Sequence, residues 1–283
     1  MKIIPLILFI FILAKVDRIF FKANHSFCVH FIDTPPSDNS FKSEGSFPTE
    51  ILDQPFSYLD KGAQVYVFES QDQNYVLKFT RVPASLRSFS WLTHPFSHIF
   101  LQKQIGTQQQ KSKKKIAGYL ESYFLAYQYL QEETGVAYVH LHPTVHLQKK
   151  IHLKDKNGSS YYISADRISF ILQRKGMPFM DALESASGNI EMGKQMIDSL
   201  FEVIISRCSK GIIDRDKMHY DNYGWLENRA MHLDIGRFSQ KEEVKNPRAY
   251  QQEILHVTSP LSKYLQKNSP ELFRYYQEKI SQL

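Results

Sequence analysis

Cysteine is nearly missing from this 283-residue chain. Cys28 and Cys208 are the only two. That is too few for a disulfide framework, and no zinc-type spacing accompanies them. Long apolar runs are scarce as well. The one candidate, Ile3 to Ala14 behind Met1-Lys2, is short of the roughly 20 residues that a spanning helix needs. Its charged start and its length are those of a secretory h-region, but no A-x-A cleavage pattern follows. An uncleaved anchor would take in Val16 and Ile19 to Phe21. Residues 1–23 are therefore expected to export the chain or attach it to a membrane. There is no internal repeat and no heptad array, which excludes solenoid and coiled-coil architectures. No strong excess of one charge exists either: the balance is +6. Such a mild basicity favours anionic partners such as nucleotide phosphates or acidic lipid, and nothing points to nucleic acid.

What is present divides into a strand-rich part and a helix-rich part, the pattern of an α+β protein. Residues 24–50 carry many Pro, Ser, Asn and Gly and read as a polar linker. Gln64 to Glu69 and Asn74 to Phe79 are alternating runs around a polar turn and predict a hairpin. Gly62 stands at its entry, where a backbone can approach a ligand closely. Lys78 lies between Leu77 and Phe79; taken alone, the usual exposure of lysine places it on a sheet edge. A helix is expected over Lys113 to Glu133, with Ile116, Leu120, Phe124, Tyr127 and Leu130 at helical spacing and Gly135 as its stop. Glu121 borders that stripe, from where it can point inward. Lys156-Asn157-Gly158 marks a further hairpin, and Pro178 to Ser187 a short helix. Glu191 to Lys210 has one apolar stripe from Met196 to Cys208 and predicts a second amphipathic helix. Pro247, Pro260 and Pro270 open three helices in the tail.

Chemistry concentrates between Gly211 and Phe238. Asp214, Asp216, Asp221 and Asn222 fall in a first turn and Asp234 in a second, just before Ile235-Gly236. Tyr223 to Leu226 and Met231 to Leu233, separated by Glu-Asn-Arg, predict a hairpin that brings the two turns to one edge. Oxygen ligands gathered in this way suit a hard cation such as Mg²⁺ carrying a phosphate.

In this order the segments resemble the protein-kinase-like superfamily, a two-lobed fold with a β-rich N-lobe and a helical C-lobe. KGAQVYVF resembles the glycine-rich strand-turn-strand over the nucleotide, YVLKF the strand with the phosphate-orienting lysine, and FILQRKG the strand into the hinge. IDRDKMHYDN resembles the catalytic loop and LDIGRF the metal-binding D-F-G. The resemblance implies an N-lobe over 51–176 and a reduced C-lobe over 177–283. It implies ATP with Mg²⁺, or Mn²⁺, as cofactors. Gly62, Lys78 and Glu121 would serve the nucleotide, with Glu121 pairing Lys78. Asp216 would be the catalytic residue, and Asp234 with Asn222 or Asp221 the metal ligands. The chain departs from the pattern in four places. Only Gly62 of the glycines is present. The asparagine step falls on Asp221, with Asn222 one residue later. Ile235 replaces Phe, and no A-P-E follows Gly236. Three functions fit: an atypical phosphotransferase with an unnamed acceptor, a pseudokinase serving as a binding or scaffold module for a protein partner, or a membrane-associated α+β protein whose acidic hairpin holds a structural cation. In the third, Lys78 and Glu121 would lie far apart.

Overall fold

The structure is a computed structural model that describes residues 27–29, 32, 41–43, 45–62, 64–81, 98–216 and 222–283. In chain order the elements are α1 (Thr49–Leu52), β1 (Phe56–Lys61), β2 (Val65–Ser70), β3 (Tyr75–Thr80), α2 (His98–Tyr129), α3 (Gln131–Thr134), β4 (Val136–His140), β5 (Lys150–Lys154), β6 (Ser160–Ser164) and β7 (Phe170–Arg174). Then come β8 (Met177–Pro178), α4 (Phe179–Ser185), α5 (Ile190–Ser209), β9 (Ile212–Asp214), β10 (Tyr223–Leu226), β11 (Arg229–His232), β12 (Phe238–Gln240), α6 (Pro247–Val257), α7 (Ser259–Asn268) and α8 (Pro270–Ser281). The class is α+β, as the sequence implies. Two compact units are present: Met1–Ser112 with His140–Leu172, and Lys113–Val139 with Gln173–Leu283. Residues 113–139, grouped by sequence with the strands around them, thus pack in the second unit. The apolar run in 1–23 lies outside the described residues, as does part of the 24–50 linker. Among the described residues no helix is long and apolar enough to cross a membrane.

Within the first unit the sheet runs in the order β7-β3-β2-β1-β5-β6. Strict alternation along β2 turns Tyr66, Phe68 and Ser70 inward. Phe68 meets Phe79 edge-on at 5.6 Å between ring centroids. Phe27 adds edge contacts to Tyr66 and Phe68. The turn between β5 and β6 is set by Asp155, whose Oδ1 accepts the amides of Asn157 and Ser159 at 2.9 Å each, with Gly158 at φ +85°. One expectation changes here. β3 lies between β2 and β7, so Lys78, paired with Val67, sits in the middle of the sheet and not on an edge.

The second unit is organised around α5. Asn189 caps it by accepting the Met192 amide at 3.1 Å. Met196, Ile197, Leu200, Phe201, Ile204 and Cys208 are all buried, as the apolar stripe predicts. Each large apolar side chain buried this way contributes roughly 1.5–3 kcal/mol. Burial pushes the Cys208 thiol up to about 11, which makes it a core residue and not a nucleophile. β10 and β11 pair as expected, with one shift. The turn is Glu227-Asn228 alone, at φ 50° and 61°, the two positive angles of a two-residue hairpin turn. Arg229 therefore enters the strand opposite Leu226, and Leu233 falls beyond its end.

Gly211 ends the α5 segment at φ +73°, and a Cβ there would lie 2.7 Å from Lys245 Cε. Gly211→Ala should destabilise the chain by about 1–2 kcal/mol. Urea unfolding checks this: the midpoint should fall with the slope unchanged.

Candidate functional site

The two acidic turns meet because β9 and β12 pair antiparallel, Asp214 opposite Phe238, and the Arg215 amide continues the ladder to Arg237 O at 3.1 Å. Asn222 O accepts both the Leu233 amide (2.7 Å) and the Asp234 amide (3.3 Å). The second unit thus brings Asp216, Asn222 and Asp234 into one region. Asn222 is buried, Asp216 half-buried and Asp234 exposed. Asp221, the alternative metal ligand, lies outside the described residues. Each carboxylate also organises its own turn: Asp214 Oδ1 accepts the Asp216 amide at 2.9 Å, and Asp234 Oδ1 accepts the Gly236 amide at 3.0 Å.

Asp214 was not singled out as a site residue. Alternation along β9 gives the signal for it, since Ile212 and Asp214 share the inward face. Its carboxyl is pushed up to about 6, first by burial. The Arg207 charge and the Asp216 amide act against that rise, and the Asp234 and Asp216 carboxylates add to it. Carboxylates such as those of Asp216 and Asp234 are of the type that holds a hard cation. Among the described residues no three His, Cys, Asp or Glu side chains converge as a complete metal cage. Mg²⁺ does not require one, because it is commonly held by one or two carboxylates together with substrate phosphates.

The helix facing this region is α2, but the residue it contributes is not Glu121. Glu121 is exposed. The next residue, Ser122, has no solvent exposure; its hydroxyl donates to Ile235 O and accepts from the Phe238 amide, both at 2.6 Å. Tyr123 is buried beside it, with its phenol pushed well up by burial and then by the Asp234 charge. The buried positions of α2 are Tyr119, Leu120, Ser122, Tyr123, Leu125 and Ala126. Of the expected stripe, Leu120 and Leu130 are buried, while Ile116, Phe124 and Tyr127 are only half-buried.

Gly62 and Lys78 belong to the first unit. Gly62 closes the β1–β2 turn, with its amide on Val65 O at 2.9 Å and its carbonyl accepting from Arg81 Nη1 at 2.7 Å. A Cβ there would make only ordinary contact, 3.7 Å from Val65 Cγ2. The chain itself does not require glycine at this position. Lys78 is half-buried among buried Val76, Leu77, Phe79 and Thr80.

Behind the acidic turns lies a fully buried set of polar side chains. Arg207 donates to Glu253 Oε1 at 2.7 Å and to Ile212 O at 3.2 Å. The Tyr223 and His232 rings lie 4.5 Å apart between centroids, tilted by 42°. Neither His232 ring nitrogen has a hydrogen-bond partner among the described residues. Burial, and then the Arg207 charge, hold the imidazole pKa well below its ordinary value.

Two measurements follow. Ser122→Ala leaves the Ile235 carbonyl and the Phe238 amide unpaired and should cost about 2–4 kcal/mol, read by chemical denaturation, with faster hydrogen exchange at Phe238. His232 takes up its proton more readily in the unfolded chain. Its contribution to stability should be complete above about pH 6.5 and decline as pH falls below that value, by up to ~1.4 kcal/mol per pH unit. His232→Phe should flatten that part of the stability–pH curve.

No family model and no curated protein matches the chain. Among solved structures, it is similar to the bifunctional kinase-methyltransferase WbdD, at 13% identity over 78% of this chain and 43% of that one, with a TM-score of 0.35. A second WbdD structure gives 15%, 81%, 46% and 0.37. Rv3197 from Mycobacterium tuberculosis, solved as a complex with erythromycin, gives 13%, 70%, 50% and 0.34. The chain spans half or less of the length of these proteins. The likeness is a distant one to kinase-like folds, and no residue role is taken from it.

Proposed function

We propose that the chain is an ATP- and Mg²⁺-dependent phosphotransferase acting on a hydroxyl acceptor, with a kinase-like division of labour. The observation that supports it is the meeting of Asp216, Asn222 and Asp234 through the β9–β12 ladder and the Asn222 carbonyl. Phosphoryl transfer needs alignment and charge neutralisation more than covalent chemistry. In this reading Asp216 orients the acceptor hydroxyl and takes its proton. Asp234 and Asn222 hold Mg²⁺, or Mn²⁺, which neutralises charge on the phosphates; Asp221 is the alternative to Asn222. Lys78 and the Gly62 turn serve the nucleotide. Glu121, on the exposed side of α2, is the weakest member, so the phosphate clamp rests mainly on Lys78. Residues 1–23 would export the chain or hold it at a membrane, and the acceptor would be met there.

A second reading, a pseudokinase that binds a protein partner, is favoured by the exposure of Glu121 and by a Gly62 turn that places no steric demand for glycine. A thermal-shift titration separates the two. ATP with Mg²⁺ or Mn²⁺ should stabilise the catalytic protein by about 2.7 kcal/mol at a hundredfold excess over Kd, and no shift would favour the second reading. For the first, Asp234→Ala should reduce Mg²⁺-dependent ATP turnover by about a hundredfold or more. Wild-type turnover in that variant would remove Asp234 from the metal site.

A further inference from the structure

Asp214 carries no role in the reading above, yet among the described carboxylates of the acidic turns it is the most deeply placed, at 8% exposure. A buried carboxylate is expensive unless it is answered by charge and hydrogen bonds. Both answers are present. Oδ1 accepts the Asp216 amide at 2.9 Å. Arg207, with no solvent exposure, lies within electrostatic reach from α5. The same guanidinium also holds the main chain at Ile212 O, 3.2 Å away, and is itself locked by Glu253 of α6 at 2.7 Å. The segment is therefore pinned at Ile212 by Arg207, at Asp214 and Arg215 by the β12 ladder, and at Asp216 by Asp214. The other ionisable groups around Arg207 and Asp214 are Cys208 on α5, Tyr223 on β10 and His232 on β11, all buried, together with Asp216 and Asp234.

We infer that Asp214 is a positioning residue of this site: its Oδ1, by accepting the Asp216 amide, fixes the main chain that presents Asp216. The inference rests on the phosphotransferase reading for its effect on rate, but not for its effect on the backbone. The turn needs an accepting oxygen at this position, which Asp supplies and Asn would keep, while the segment before it is held at Ile212 O by the buried Arg207.

The test uses the full chain with Asp214→Ala and Asp214→Asn, where Asn keeps the accepting oxygen. Two readouts are taken: hydrogen exchange at the Asp216 amide, and turnover of ATP with Mg²⁺. In Asp214→Ala the Asp216 amide should exchange about tenfold faster while the α5 amides are unchanged. kcat should fall about tenfold or more, with KM for ATP within about twofold. Asp214→Asn should restore both to near wild type. Unchanged exchange in the Ala variant, or equal loss in both variants, overturns the inference. Should the Ala variant fail to fold, a wild-type Asn variant supports it and an impaired one overturns it. If exchange responds as expected but wild-type protein turns over no ATP, the backbone role stands and the phosphotransferase reading falls.

Discussion

A guanidinium with no access to water is the constraint on which the second unit depends. Arg207 sits on the inner stripe of α5, among Ile204, Cys208 and Phe201. There its charge has to be met by protein groups, because removing one partner of a buried pair costs about 3–5 kcal/mol. Glu253 of α6 meets it on one side and Ile212 O on another. The orientation of α6 on α5 and the departure of β9 from the end of α5 are thus fixed by one side chain. The acidic turns begin two residues after that anchored carbonyl, at Asp214. Their geometry follows from how a buried charge is satisfied, and only secondarily from turn propensity.

Much of the fold was legible because its elements obey simple periods. The stripe of α5, the β2–β3 hairpin and the proline-started tail helices each follow from 3.6-residue or two-residue spacing. Arg207 was not legible. Arginine on a helix is usually at the surface, and only a partner 46 residues later in the sequence makes its burial tolerable. The hairpin at Glu227-Asn228 shows another limit. Composition marked a turn at Glu-Asn-Arg, but the strand twist favours two residues at positive φ, and Arg229 went into the ladder. Lys78 illustrates the reverse case. Its residue type suggested an edge, while strand order, which no local pattern encodes, put it in the centre.

The helix α2 shows how a small error in phase changes the chemistry assigned to a helix. Each residue turns the helix by about 100°. A stripe through Ile116, Leu120, Phe124 and Tyr127 puts Glu121 at its border, whereas the buried positions Tyr119, Leu120, Ser122, Tyr123 and Ala126 leave Glu121 on the exposed side. Ser122 then falls on the inner side. Its single hydroxyl both donates to Ile235 O and accepts from Phe238 N, so it holds the stretch after Asp234 at two points. Glutamate stands out in the sequence because it is charged. Serine carries the contact because a short side chain can enter a closely packed helix–backbone junction, where a longer carboxylate would be buried without a partner.

The acidic half of the site is therefore set by hydrogen bonds that the second unit makes within itself. Ser122 fixes the segment after Asp234, Asn222 O fixes Asp234 from the other side, and Asp214 fixes Asp216. All of these bonds are internal, so the carboxylates are arranged by the unit itself. Burial is the first cause of the raised Asp214 carboxyl, and the Asp234 and Asp216 charges add to it. The electrostatics of the acidic turns, like their geometry, therefore follow from how this unit packs.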